Sequence, residues 1–326
     1  MALVSLRSTV FACLVVAFDI GSVFAQQNTD IKAGPGAAPV ECTLPETPLM
    51  KVAMSLWDEK SNVFVKGLES KQFKVFEGKT SVNIEYFCQR DDPITVGIIL
   101  DVSGSMQSPR ISGVNGIIST VDAMRKFVVQ SNPANKYFLI TFADKVSEVL
   151  NTTQDKKEIE KVFDQLLVAK PKGNTSFYDA VSAGLTKMAK TNGEKKVILV
   201  VSDGNDNSSR NNDVGKLQKQ SRESRIPIYW VNYERSEHTR ESDITSSSIY
   251  FVESVKELGG EIFYPKNLAE LNFAFERIAN QLRAQYTIGF SLATSETKSW
   301  HKIKVRMDAP KTNGKVILQA PKGYFY

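Results

Sequence analysis

Five residues carry the oxygen donors that hard cations prefer: Asp101, Ser103, Ser105, Thr175 and Asp203. The first three alternate at the end of an apolar run, ITVGIILDVSGSM, which spans residues 94–106. Thr175 stands in GNTSFYDA, and Asp203 follows an apolar run in KVILVVSDG. Hydroxyl and carboxylate oxygens suit Mg²⁺ or Ca²⁺, and Mg²⁺ keeps some coordination positions for water or an outside group. Two carboxylates at most neutralise a divalent ion, while neutral hydroxyls leave it electrophilic. The same residue types also cap loop backbones, so a purely structural use is the competing reading.

Taken together and in order, these positions resemble the metal-ion-dependent adhesion site of von Willebrand factor A domains. D-x-S-x-S supplies Asp101, Ser103 and Ser105, followed by Thr175 and then Asp203 at the end of a strand. The resemblance implies a bound Mg²⁺, with Ca²⁺ or Mn²⁺ able to substitute. It implies direct ligation by Ser103, Ser105 and Thr175, and direct or water-bridged ligation by Asp101 and Asp203. It also implies that an Asp or Glu of a protein partner completes the coordination.

The elements that must position these residues are legible as periodicity. Residues 94–100 are β-branched and nearly uncharged, as expected of a strand buried on both faces of a parallel sheet. Helical faces recur over 114–130, 156–168, 177–189, 214–224, 249–258 and 268–284. Strands are expected at 137–142, 197–201, 226–232 and 262–264, with 146–150 as an antiparallel companion. Strand and helix in alternation predict an α/β fold with a doubly wound, mostly parallel sheet over residues 93–284. The von Willebrand factor A resemblance covers that whole stretch. In such sheets ligands sit beyond the carboxyl ends of the strands, where strand order reverses, and both aspartates end strands. Asp179, one helical turn past Thr175, has two readings, as a support of the site and as a surface carboxylate of its helix, and the second is preferred. Residues 205–212 read as a polar loop at the rim.

Around this core lie short alternating strands. KVAMSLWD, NVFVKGL, QFKVFEGK and SVNIEYFCQ come before it; QYTIGFSL, WHKIKVRMD and KVILQAPKG come after. Each group is thin for a self-standing core. One discontinuous β-sandwich is therefore expected, with halves at 45–92 and 285–326 and the α/β part inserted between them. These outer strands are similar to those of bacterial exported von Willebrand factor A-related proteins of the Acidobacterial type.

The N-terminus carries an export signal. Arg7 precedes a short apolar run at 10–18, and Val23 and Ala25 are the small residues at a cleavage site, so residues 1–25 are expected to be removed. Residues 26–44 read as a flexible leader. No later run approaches about 18 apolar residues, so no membrane span is expected in the mature chain. Cys42 and Cys88 remain, an even pair that an oxidising compartment would permit to bond; two buried thiols are the other reading. The net charge of +5 is spread along the chain rather than clustered, which does not suggest nucleic acid.

The histidines, His238 and His301, lie far in sequence from the serines of the motif, and no G-x-S-x-G elbow or zinc spacing occurs. The expected function is non-enzymatic. It is metal-dependent binding of an acidic residue on a protein partner, in adhesion or envelope assembly, at a periplasmic, cell-surface or secreted location. An envelope structural protein with an unused metal site is the alternative, and a metal-assisted hydrolase stands behind both.

Overall fold

A computed structural model of the chain describes residues 42, 49–107, 116–193, 195–233, 246–292, 299–308 and 315–326. The expected export signal lies outside them, as does the leader apart from Cys42. The chain opens with β1 (Met50–Asp58), β2 (Phe73–Glu77), β3 (Thr80–Val82) and β4 (Tyr86–Gln89). The central part runs β5 (Thr95–Asp101), α1 (Gly116–Gln130), β6 (Lys136–Phe142), β7 (Val146–Thr153), α2 (Lys156–Val168) and α3 (Phe177–Ala189). It continues with β8 (Lys196–Ser202), α4 (Val214–Ser224), β9 (Ile228–Asn232), α5 (Ser246–Glu257), β10 (Glu261–Phe263) and α6 (Leu268–Arg283). The chain closes with β11 (Tyr286–Phe290), β12 (Trp300–Met307), β13 (Val316–Gln319) and β14 (Gly323–Phe325).

The central sheet has the order β10-β9-β8-β5-β6-β7, parallel throughout except for the edge strand β7. From β5 the chain builds outward to β6 and β7, then crosses back to β8 on the other side. Strand order therefore reverses between β5 and β8, which opens a crevice at their carboxyl ends. All seven residues of β5 are buried. On one sheet face Val96, Ile98 and Leu100 pack with α1, α2 and α6. On the other, Ile99, Ile198 and Val200 pack with α3, α4 and α5. α3 lies so close to β5 that a Cβ on Gly184 would come within 2.5 Å of Ile99 Cδ1. Helix starts are fixed by side chains. Asp155, Asp213 and Asn267 accept from the Lys157, Lys216 and Glu270 amides and cap α2, α4 and α6.

Two further sheets, each of four strands, draw on both ends of the chain: β13-β1-β11-β4 and β14-β12-β2-β3. Their inward residues, Met54, Leu56, Val75, Tyr286 and Phe290 among them, form one core. Three expectations for this region need correction. NVFVKGL is not a strand. Its backbone is held instead by the Tyr286 hydroxyl, which accepts from Leu68 N at 3.1 Å and donates to Val65 O at 3.2 Å. Only an isolated bridge, Trp57 to Phe64, remains of the expected pairing. SVNIEYFCQ is not one strand but two, because β3 pairs with β2 while β4 crosses to pair with β11. The third is an omission: β14, a separate strand that the sequence reading did not include, pairs with β12.

Cys42 and Cys88 are joined by a disulfide, with Cα atoms 5.1 Å apart. A buried polar chain closes the edge near β14. The Tyr324 hydroxyl donates to Glu77 at 2.9 Å, Glu77 lies 3.2 Å from His301 Nδ1, and His301 Nε2 is 2.9 Å from Ser299 Oγ. The order of groups is that of a nucleophile relay. However, both backbone groups of Ser299 are bonded to Tyr326, and the imidazole stacks flat on Tyr324. Those contacts make it a structural tie.

The central sheet meets the outer strands through Arg277 of α6. Its side chain is 7% exposed and its Nε donates to Glu261 at 3.2 Å. The guanidinium lies 4.3 Å from the Trp57 ring centroid and near Phe64. Burial pushes the Glu261 carboxyl up, and the Arg277 charge pulls it part of the way back.

Candidate metal centre

Asp101 is the last residue of β5, and its fully buried carboxylate is held from two sides. The Ser103 amide donates to Oδ1 at 2.8 Å, and the Ser202 hydroxyl donates to Oδ2 at 2.7 Å. The first contact is a short Asx turn, which brings Ser103 round so that its Oγ lies 3.1 Å from Ser105 Oγ. Asp203 follows β8 and is also buried, with one oxygen accepting from the Asn205 amide at 3.2 Å. Thr175 is buried at the start of α3.

These residues lie on three loops that hydrogen bond to one another. The Gly104 amide donates to Gly173 O at 3.1 Å and the Lys172 amide to Val102 O at 3.0 Å, which ties the Asp101 loop to the Thr175 loop. The Thr175 amide donates to Asn207 Oδ1 at 2.8 Å, and Thr175 O accepts from the Asn207 and Ser208 amides. Those contacts tie the Thr175 loop to the Asp203 loop. Gly173 has φ +88°, and a Cβ there would fall 2.1 Å from an Asp144 oxygen, so the turn into Thr175 depends on glycine.

Burial pushes the Asp101 carboxyl above its ordinary value. Hydrogen bonds from Ser103 and Ser202 oppose that shift, and the negative charge of Asp203 adds to it. Asp101 and Asp203 repel each other, and a donor set of these two carboxylates with the Ser103, Ser105 and Thr175 hydroxyls would be made only of oxygen. Such a set fits a hard divalent cation and disfavours softer metals that seek sulfur or imidazole. Among the described residues no group of three or more His, Cys, Asp or Glu is placed to hold a metal. The present set has two carboxylates and three hydroxyls, so it is of a different kind.

Ser202 and Asp179 organise the loops around the site; the sequence singled out Asp179 by its place one turn past Thr175 but not Ser202. Ser202 orients Asp101 and also accepts from the Gly204 amide at 3.0 Å, while its carbonyl accepts from Trp230 Nε1 at 3.1 Å. The one available sign is a polar residue ending the otherwise apolar VILVVS. Asp179 is not a solvated carboxylate of the helix surface, as its sequence position suggested. It accepts from the amides of Arg210, Asn211 and Asn212 and so pins the rim loop to α3. Asp206 and Ser209 complete the clamp by bonding the Tyr178 and Asp179 amides.

Burial pushes the Asp179 carboxyl up, but these hydrogen bonds outweigh it and leave it below the ordinary 3.8. A carboxyl lowered in the fold contributes stability that is fully present above the unfolded value and is lost as pH falls through the folded one. Hydrogen exchange of amides 210–212 is thus expected to accelerate below about pH 3.8, relative to the amides of β8. Equal pH dependence in both segments would refute the clamp.

Gly204 has φ +75°, and a Cβ there would lie 2.3 Å from Trp230 Cζ2. Gly204→Ala combines overpacking with a left-handed backbone penalty, together about 2–5 kcal/mol. Chemical unfolding should show that loss, together with weakened cation binding from the displaced Asp203. A cost under about 0.5 kcal/mol, the size of a neutral surface change, would show that the turn adapts.

The family described as von Willebrand factor type A domain matches residues 96–205, a stretch containing all five oxygen-bearing residues. No curated protein matches the chain. Among solved structures, the chain is similar to the PilB minor pilin from Streptococcus sanguinis. That likeness is at 14% identity and TM-score 0.46, covering 59% of this chain and 61% of the pilin. It is also similar to an aerotolerance-related membrane protein from Bacteroides fragilis, at 18% identity and TM-score 0.45, covering 58% of this chain and 98% of that one. A von Willebrand factor type A protein from Catenulispora acidiphila aligns at 10% identity and TM-score 0.47, over 79% and 75% of the two chains.

Proposed function

We propose that this is an exported, non-enzymatic binding protein that takes a divalent cation at Asp101, Ser103, Ser105, Thr175 and Asp203. Through that cation it recognises an Asp or Glu of a protein partner, in adhesion or envelope assembly. The observation that carries this reading is the burial of two repelling carboxylates beside hydroxyls, on three mutually bonded loops at the sheet's reversal point. The residues fit Mg²⁺ best, with Ca²⁺ or Mn²⁺ as substitutes. When bound, such an ion offers a coordination position that an outside carboxylate fills. Ser103, Ser105 and Thr175 present hydroxyls to it, Asp101 and Asp203 balance its charge, and Ser202 and Asn207 hold their neighbours in place.

Binding rather than catalysis is favoured by what surrounds the serines. Ser103 and Ser105 bond each other, while His301 is committed to Glu77 and Ser299 in the outer strands. His238 lies outside the described residues. Export follows from the signal-like residues 1–25, and among the described residues no helix is long and apolar enough to cross a membrane. In the same reading, residues 45–92 and 285–326 form one β-sandwich that receives the α/β domain of 93–284 as an insert.

Calorimetric titration of Mg²⁺ and Ca²⁺ into metal-stripped mature protein tests the site. Saturable binding is expected in the wild type and none in Asp101→Ala. Flat titrations for both proteins would overturn the reading.

A further inference from the structure

A groove of about 230 Å³ opens beside the Asp101 loop. Its walls include Val102, Ile117, Val149, Val162, Leu166 and Pro171, with Lys170 at the edge. Two of these residues join it to the candidate metal centre. Val102 stands between Asp101 and Ser103, and its carbonyl accepts from the Lys172 amide. Pro171 directly precedes that lysine, on the loop that leads to Thr175. Groove and hydroxyls therefore share one backbone frame. Apolar surface also continues outward, since Val149 is 39% exposed and Val168, at the end of α2, is 81% exposed. Lys170 and Lys172 are both exposed on the same loop and give that rim a positive charge.

A carboxylate reaching a cation would need neither the groove nor the lysines. We propose that the groove receives a large aliphatic or aromatic side chain from the same protein segment whose acidic residue reaches the metal centre. This inference rests on the cation-binding reading above. The recognised segment would pair an Asp or Glu with an apolar residue at a fixed offset, and further acidic residues would be drawn to the lysines. The division of labour follows general interface physics: an apolar anchor in a pocket supplies affinity, and complementary charge supplies orientation and encounter rate.

A random peptide library displayed on phage, selected on the mature protein in Mg²⁺ and eluted with chelator, tests this. The expected consensus has an acidic residue and a large apolar residue at constant spacing. Val149→Lys puts a charge in the groove wall, and Ala169→Trp fills its end. Each should weaken a selected synthetic peptide at least about tenfold, the scale of one buried apolar side chain, while Mg²⁺ titration stays as in the wild type. An acid-only consensus, with both variants binding normally, would overturn the groove and leave the cation reading standing. That is also the result expected if the chain's own leader occupies the groove. Recovery of no chelator-eluted peptide from protein that titrates Mg²⁺ normally would overturn the groove and the acidic-partner reading while leaving the cation site standing; absence of Mg²⁺ binding would overturn all three.

Discussion

Reduction of the Cys42–Cys88 bond is expected to lower the unfolding free energy by about 4 kcal/mol. The bond closes a loop with a sequence separation of 46, and the entropy removed from the unfolded chain grows with the logarithm of loop length. Cys88 lies on β4, whose register with β11 runs from Tyr86 against Gly289 to Gln89 against Tyr286. The bond therefore fastens the leader to the sheet that joins both ends of the chain. Urea unfolding followed by tryptophan fluorescence, with and without reductant and for Cys42→Ser, measures the loss. The reduced wild type and the variant should agree. A shift below about 1 kcal/mol, short of the 2–5 usual for native bonds, would mean that the unfolded chain is already restricted near these residues.

Arg277→Ala is expected to cost about 3–5 kcal/mol, the range for breaking a buried ion pair by removing one partner. The loss has two parts. Glu261 is left without its counter-charge, and one of its oxygens already lacks a hydrogen-bond partner. Trp57 also loses the guanidinium stacked on its face. Arg277→Met keeps much of the packing and removes the charge, so combining it with Glu261→Gln separates the parts. If charge dominates, Glu261→Gln should restore much of the stability in the Arg277→Met background. If stacking on Trp57 dominates, the double variant should be no better than the single. A cost below about 1 kcal/mol for Arg277→Ala would show that water enters and solvates Glu261 instead.

The parts of this fold that could be read from the sequence are those where one physical signal acts locally. α2, α3 and α4 have the expected bounds; an apolar stripe repeats along α2 and α3, while polar-faced α4 buries Leu217 and starts at the Asp213 cap. β5 and β8 are unbroken apolar runs, as strands covered on both faces must be. The outer strands were harder to read. Alternation continues through SVNIEYFCQ, but its first half turns back on neighbouring β2 while its second half joins β11, some 200 residues away. NVFVKGL has strand composition, yet it bonds the β1 backbone at Val63 and Val65, and beyond them the Tyr286 hydroxyl and the Gln89 side chain take up its backbone groups. At the metal centre the five donors follow a spacing, while Ser202 and Asp179 act through contacts between loops far apart in sequence. Such contacts have no periodicity to betray them.

The antiparallel pairing of β4 with β11 places the chain's way into the central sheet beside its way out. A pulling force applied between residue 49 and the C-terminus therefore does not run through β5, β8 or the oxygen-lined crevice. It is carried across β1, β11 and β13 and the disulfide. Tension between those two points would strip the outer sheets before it deformed the crevice, so the loops that carry Asp101, Thr175 and Asp203 would keep their shape under load until β4 and β11 part.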